Sequence, residues 1–81
     1  MSIELSKQAV KTLSEIDSPT RGRIVNAIKH IPQGDIKPLK GYKDYYRLRV
    51  GRWRIIFGYK DDDIIFVVKI APRGEVYKGG F

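Results

Sequence analysis

The sequence predicts an α+β fold, an N-terminal helical hairpin packed on one face of a small antiparallel β-sheet. Three observations lead there. In the first third, apolar residues recur at helical spacing: Ala9, Val10, Leu13 and Ile16, then Ile24, Val25, Ile28 and Ile31. Three later segments, Tyr45 to Val50, Trp53 to Tyr59 and Ile64 to Ile70, are rich in β-branched and aromatic residues. The whole fits into 81 residues, the length of one domain, spanning 1–81.

Taken in order, Ile3-Glu4-Leu5 alternates and suits an edge strand. Ser6 is placed to cap a helix over Lys7 to Ile16. Asp17-Ser18-Pro19 interrupts that helix. Ser18 suits the next N-cap and Pro19 the first helical position, where a missing N–H costs nothing. Pro32-Gln33-Gly34 ends the second helix, and residues 35–44 read as a polar connection carrying Lys37, Lys40 and Lys43. Gly51-Arg52 marks a tight hairpin turn, and Lys60-Asp61-Asp62-Asp63 a second turn. Glu75-Val76-Tyr77 reads either as a fourth short strand or as a tail.

A two-residue turn at Gly51-Arg52 sets Val50 opposite Trp53, Leu48 opposite Ile55, Tyr46 opposite Phe57 and Arg49 opposite Arg54. Centring the second turn on Asp61-Asp62 pairs Phe57 with Phe66, Ile55 with Val68, Trp53 with Ile70 and Arg54 with Lys69. One face is then an apolar wall for the helices. The other carries Arg47, Arg49, Arg54 and Lys69, flanked by Ile56 and Val67, and no carboxylate is expected on it. Like charges directly opposite on a sheet destabilise it by roughly 0.2–1 kcal/mol per pair. A bound anion would relieve that repulsion, and arginine grips phosphate with two N–H groups at once.

The net charge supports this reading. It is +7 overall, and the stretch from Lys37 to Lys60 holds eight basic residues against Asp44 alone. Such a surface favours acidic partners, and tyrosine rings beside cations suit single-stranded RNA. Cysteine is absent, which removes disulfides and thiolate-bound metals and fits a reducing cytoplasm. The longest apolar runs, Ile55-Ile56-Phe57 and Ile64 to Val68, are too short to span a bilayer, and the first six residues lack the regions of a signal peptide. A soluble, unexported protein with no membrane partner is expected. The lone histidine, His30, falls near the end of the second helix, where a capping or surface role suits it better than catalysis.

Leu39-Lys40-Gly41, the block Tyr46 to Phe57, and Arg73 followed by Glu75-Val76-Tyr77 resemble the toxins of the RelE/ParE superfamily of type II toxin–antitoxin systems. The block containing Tyr46-Arg47-Leu48-Arg49-Val50-Gly51 is shared with superfamily members that do not cut RNA. The later arginine and tyrosine tilt the resemblance toward the RelE-type ribonucleases. It implies a RelE-like fold, a cognate antitoxin and cleavage of mRNA in the ribosomal A site. The chemistry implied is attack by the ribose 2′-hydroxyl on the adjacent phosphate, without metal or other cofactor.

Carried over by position, the resemblance marks Arg49, Arg54, Arg73 and Tyr77 as catalytic. Arg49 stands at the base position, Arg54 and Arg73 at the phosphate, and Tyr77 against a base. Arg47 is expected on the RNA backbone, with Lys69, Lys43 and Lys40 as further RNA-binding cations. The best-known members carry lysines where this sequence has Arg47 and Arg49. Arginine, with a pKa above about 12, is a poor proton acceptor. The sequence is also shorter at Gly51-Arg52 and between Arg73 and Glu75, and it reaches Phe81 without a C-terminal helix. The alternatives are a ParE-like toxin that poisons DNA gyrase and a non-catalytic nucleic-acid-binding module.

Overall fold

The structure, a computed structural model, describes residues 2–72. Chain order is β1 (Ser2–Leu5), α1 (Lys7–Glu15), α2 (Ser18–Lys29), β2 (Asp35–Pro38), β3 (Tyr45–Val50), β4 (Trp53–Asp61) and β5 (Ile64–Pro72). The strands form one sheet in the order β1-β5-β4-β3-β2. The expected α+β arrangement is present, with one refinement: β1 runs parallel to β5, and the other pairings are antiparallel. The chain leaves β1 at one edge, crosses one sheet face as the α1–α2 hairpin and re-enters at the opposite edge as β2, so β1 and β5 are parallel neighbours with no direct connection.

Ser6 caps α1 as expected, accepting from the Ala9 N–H at 3.1 Å. The cap of α2 is Asp17 rather than Ser18. Its Oδ2 accepts from the Thr20 N–H at 3.0 Å and the Thr20 hydroxyl at 2.8 Å, which leaves Ser18 and Pro19 inside the first turn. These bonds hold the Asp17 carboxyl below its ordinary pKa. Arg21 ties the hairpin together. Its Nε donates to the Leu13 carbonyl at 2.7 Å and its Nη2 to the Ile16 carbonyl at 2.6 Å, covering groups left open where α1 ends.

The core lies between the helices and one sheet face. Ala9, Leu13, Ile24 and Ile28 meet Leu48, Ile55, Phe57, Ile65, Val67 and Ile70. Burying each large side chain contributes about 1.5–3 kcal/mol. Val10, expected on this face, is 52% exposed and points away from it. The β3–β4 register is the expected one, from Val50↔Trp53 to Tyr46↔Phe57. Gly51 opens its turn at φ +58°, a conformation cheap only for glycine.

The β4–β5 register differs. The turn falls at Asp62-Asp63, one residue later than expected, and Asp61 faces Ile64. Two bulges follow, leaving Lys60 on β4 and Val68 on β5 without cross-strand partners. Phe57 therefore meets Val67, Ile55 meets Ile70, Trp53 meets Pro72 and Arg54 meets Ala71. Ile65 and Val67 enter the core, while Phe66 and Val68 leave it, the reverse of the expected alternation. Alternation alone could not locate the bulge, because Ile64 to Val68 is apolar at every position.

Residues 35–38 are a strand, not part of a polar connection. Ile36 faces the core opposite Leu48, and Asp35 and Lys37 face the other way.

Candidate functional site

The register arranges the outer sheet face in rows. The first row reads Asp35, Arg49, Arg54, Ala71 across β2, β3, β4 and β5. The second reads Lys37, Arg47, Ile56, Lys69. Neighbouring strands lie about 4.8 Å apart, and rows two residues apart along a strand are separated by about 7 Å. Five cations thus share a patch a few nucleotides wide. Arg49 and Arg54 stand directly opposite each other, as the sequence implied.

A carboxylate does occupy this face, contrary to expectation. Asp35 lies within 3.6 Å of the Arg47 Nη2 and 3.9 Å of the Arg49 Nε. It offsets part of the repulsion between the arginines. Reading residues 35–44 as a connection hid it. The signal was the alternation Asp35-Ile36-Lys37, ended by Pro38, which is tolerated on an edge strand. Lys37, from the same strand, is a further cation of the face outside the expected set.

Nor is the face uniformly open. Arg47 and Arg54 are only 7% and 8% exposed, Lys69 is half-buried, and Arg49 is open to solvent. Beside them lies a small apolar cluster in which Leu39 covers Ile56 and Ala71, with Tyr45 and Val68 at its margin. Leu39 gets there because residues 39–45 fold back over the sheet. Its N–H donates to the Tyr45 carbonyl at 2.9 Å, and the Tyr42 N–H donates to the Leu39 carbonyl at 3.1 Å. Gly58 permits that approach. A Cβ there would lie 3.1 Å from the Asp44 carbonyl oxygen and 3.3 Å from the Tyr45 ring. Guanidiniums held in such surroundings are preorganised, since packing has already removed most of their rotamer freedom.

The structure therefore brings Arg47, Arg49, Arg54 and Lys69 onto one face. Lys69 sits opposite Ile56 instead of Arg54, and Val67, expected beside it, is in the core. Lys40 and Lys43 are exposed on the loop that carries Leu39. Arg73 and Tyr77, together with the expected strand or tail at 75–77, lie outside the described residues. His30 caps α2 and its Nδ1 contacts the Asn26 carbonyl at 2.7 Å, remote in role from the cationic rows.

A helical hairpin on one sheet face and rows of cations on the other define a class of small α+β protein built to hold a polyanion. Comparison with known proteins agrees. The family model described as the ParE toxin of type II toxin–antitoxin systems, parDE, matches residues 3–77. The chain is 36% identical to toxin RelE3 of Methanocaldococcus jannaschii, covering 95% of this chain and 96% of that protein. A chain of the RelB–RelE antitoxin–toxin complex from Methanococcus jannaschii superposes with a TM-score of 0.75 at 30% identity, covering 94% of this chain and 96% of that one. For the archaeal RelE–RelB complex from Pyrococcus horikoshii the values are 0.71, 27%, 91% and 96%. The chain belongs to the ParE toxin family of type II toxin–antitoxin systems, and within it is a RelE-type toxin.

Proposed function

We propose that this protein is a ribosome-dependent mRNA endoribonuclease that inhibits translation, acts in the cytoplasm and is held inactive by a cognate antitoxin. The observation that carries the reading is the opposed pair Arg49–Arg54 with Arg47 beside it. Two adjacent guanidiniums aimed from rigid strands suit the doubly charged phosphorane that forms when a 2′-hydroxyl attacks phosphorus. Charge stabilisation of this kind is usually the largest catalytic contribution. In this reading Arg54 and Arg73 hold the scissile phosphate and Tyr77 stacks on a base; Arg49, which the resemblance puts at the base position, joins them on the phosphate instead, because a guanidinium has no lone pair with which to take a proton. Lys69, Lys43 and Lys40 line the path of the RNA, and Arg47 contacts its backbone. The mRNA presented in the ribosomal A site is the substrate. The RelE name of the relatives and the RelB partner in the solved complexes support the toxin and antitoxin parts of the proposal.

The ParE name of the matching family model favours a second reading, poisoning of DNA gyrase by protein contact. Induced expression separates the two. RNA cleavage gives new mRNA 5′ ends, and Arg54→Ala, Arg73→Ala and Tyr77→Ala relieve growth inhibition while the protein stays folded. Growth inhibition without new 5′ ends, accompanied by loss of DNA supercoiling, supports the gyrase reading. Undiminished toxicity in all three variants excludes the assigned site.

A further inference from the structure

A 2′-hydroxyl must lose its proton as it attacks, and the arginines of this face cannot take it. Guanidinium and ammonium groups are donors with no acceptor lone pair, whereas an ionised carboxylate is acceptor-only. Among the described residues the two cationic rows hold one carboxylate, Asp35. It stands at the edge of the first row, opposite Arg49, with Arg54 on the far side of Arg49. The row therefore reads acceptor, donor, donor, in steps of about 4.8 Å. A phosphate seated on Arg49 and Arg54, with the attacking ribose laid toward β2, puts the 2′-hydroxyl beside Asp35. The carboxylate is half-exposed, and its contacts of 3.6 and 3.9 Å to Arg47 and Arg49 are longer than hydrogen bonds. Its oxygens are thus oriented by the two cations yet free to accept.

We infer that Asp35 is the general base of the cleavage reaction. This rests on the ribonuclease reading above. The 2′-O–H proton passes to an Asp35 carboxylate oxygen as the 2′-oxygen bonds to phosphorus. The P–O5′ bond breaks, and its electron pair leaves with the 5′-oxygen, which takes a proton from solvent. The products are a 2′,3′-cyclic phosphate and a 5′-hydroxyl end. Asp35 returns its proton to solvent, and no other reactant is needed.

The test compares wild type, Asp35→Asn and Asp35→Glu in single-turnover cleavage of mRNA on programmed ribosomes, with ribosome binding measured alongside. Asparagine keeps an oxygen facing the arginines and removes the proton acceptor. General-base loss lowers the rate by roughly 10²–10⁴-fold. The expected result is a fall of that size for Asp35→Asn with binding and folding retained, and partial recovery in Asp35→Glu. The loss should fall on the single-turnover rate constant, with ribosome affinity unchanged. Cleavage by Asp35→Asn at the wild-type rate overturns the assignment while leaving the ribonuclease reading intact. A slowed Asp35→Asn that Asp35→Glu does not improve upon, or one whose ribosome binding falls with its rate, also overturns it, since Asp35 then only positions the arginines. Wild-type protein that produces no cut ends overturns the ribonuclease reading, and this inference with it.

Discussion

Arg49 is the open member of the buried arginine set, and its opposed partner Arg54 is packed. If both hold the transferring phosphoryl group, Arg49→Ala should reduce cleavage by roughly 10²–10³-fold, the usual cost of removing one charge-stabilising donor. Cut-end yield on programmed ribosomes measures it, and circular dichroism should be unchanged because an exposed side chain has been removed. A second residue, Asp17, contributes to acid stability. The Asp17 carboxyl is held below its ordinary value chiefly by the Thr20 N–H and then by the Thr20 hydroxyl. A carboxyl depressed in the folded state binds fewer protons there than in the unfolded chain. Its stabilisation is therefore complete above the unfolded value, about 3.9, and is lost as pH falls through the folded one. Asp17→Asn still caps the helix but does not titrate there. Thermal melts from pH 5 down to 2 should show wild type losing stability that the Asn variant does not lose; parallel curves would contradict the assignment.

At the scale of elements, the β5 bulge explains much of what the sequence did not reveal. Ser6 accepts from the Ala9 N–H and donates to the Val68 carbonyl at 2.5 Å, so one hydroxyl caps α1 and satisfies the bulged residue. Gln8 continues the edge beyond β1. Its Oε1 accepts from the Ile70 N–H at 3.1 Å and its Nε2 donates to the Ile70 carbonyl at 3.2 Å, as a neighbouring strand would. Ser6→Ala should cost about 1–2 kcal/mol in chemical denaturation, more than a cap alone, because the Val68 carbonyl loses its donor. Gly58→Ala should cost roughly 1–3 kcal/mol, since the new Cβ presses on backbone that cannot yield as a side-chain tip would. Both helices, the β3–β4 hairpin and its register were legible because periodic apolar residues and one glycine turn specify them. The β4–β5 register was not, because uniform apolarity over Ile64 to Val68 leaves neither face marked. β2 was hidden by brevity, four residues with one inward apolar side chain.

For the molecule as a whole, charge and shape divide the labour: one sheet face is closed by the helices, and the other concentrates cations around a buried pair of guanidiniums. The arginines of that face were legible from alternation. Asp35 and Lys37 were not, because they arrive from an edge strand distant in sequence from the hairpin they border. Binding of single-stranded RNA should weaken with salt by about 0.7 in log–log slope for each phosphate neutralised, or about −2 for three contacts. Arg49→Ala should make the slope shallower by about 0.7, measurable by fluorescence anisotropy across a salt series. RNA cleavage on the cationic face is the central claim. Primer extension on a defined mRNA in a purified translation mixture, with and without ribosomes, tests it. New 5′ ends at A-site positions with wild-type protein and ribosomes, far fewer with Arg49→Ala and none without ribosomes, are the expected result; an mRNA left intact under every condition while the protein still halts growth would contradict it.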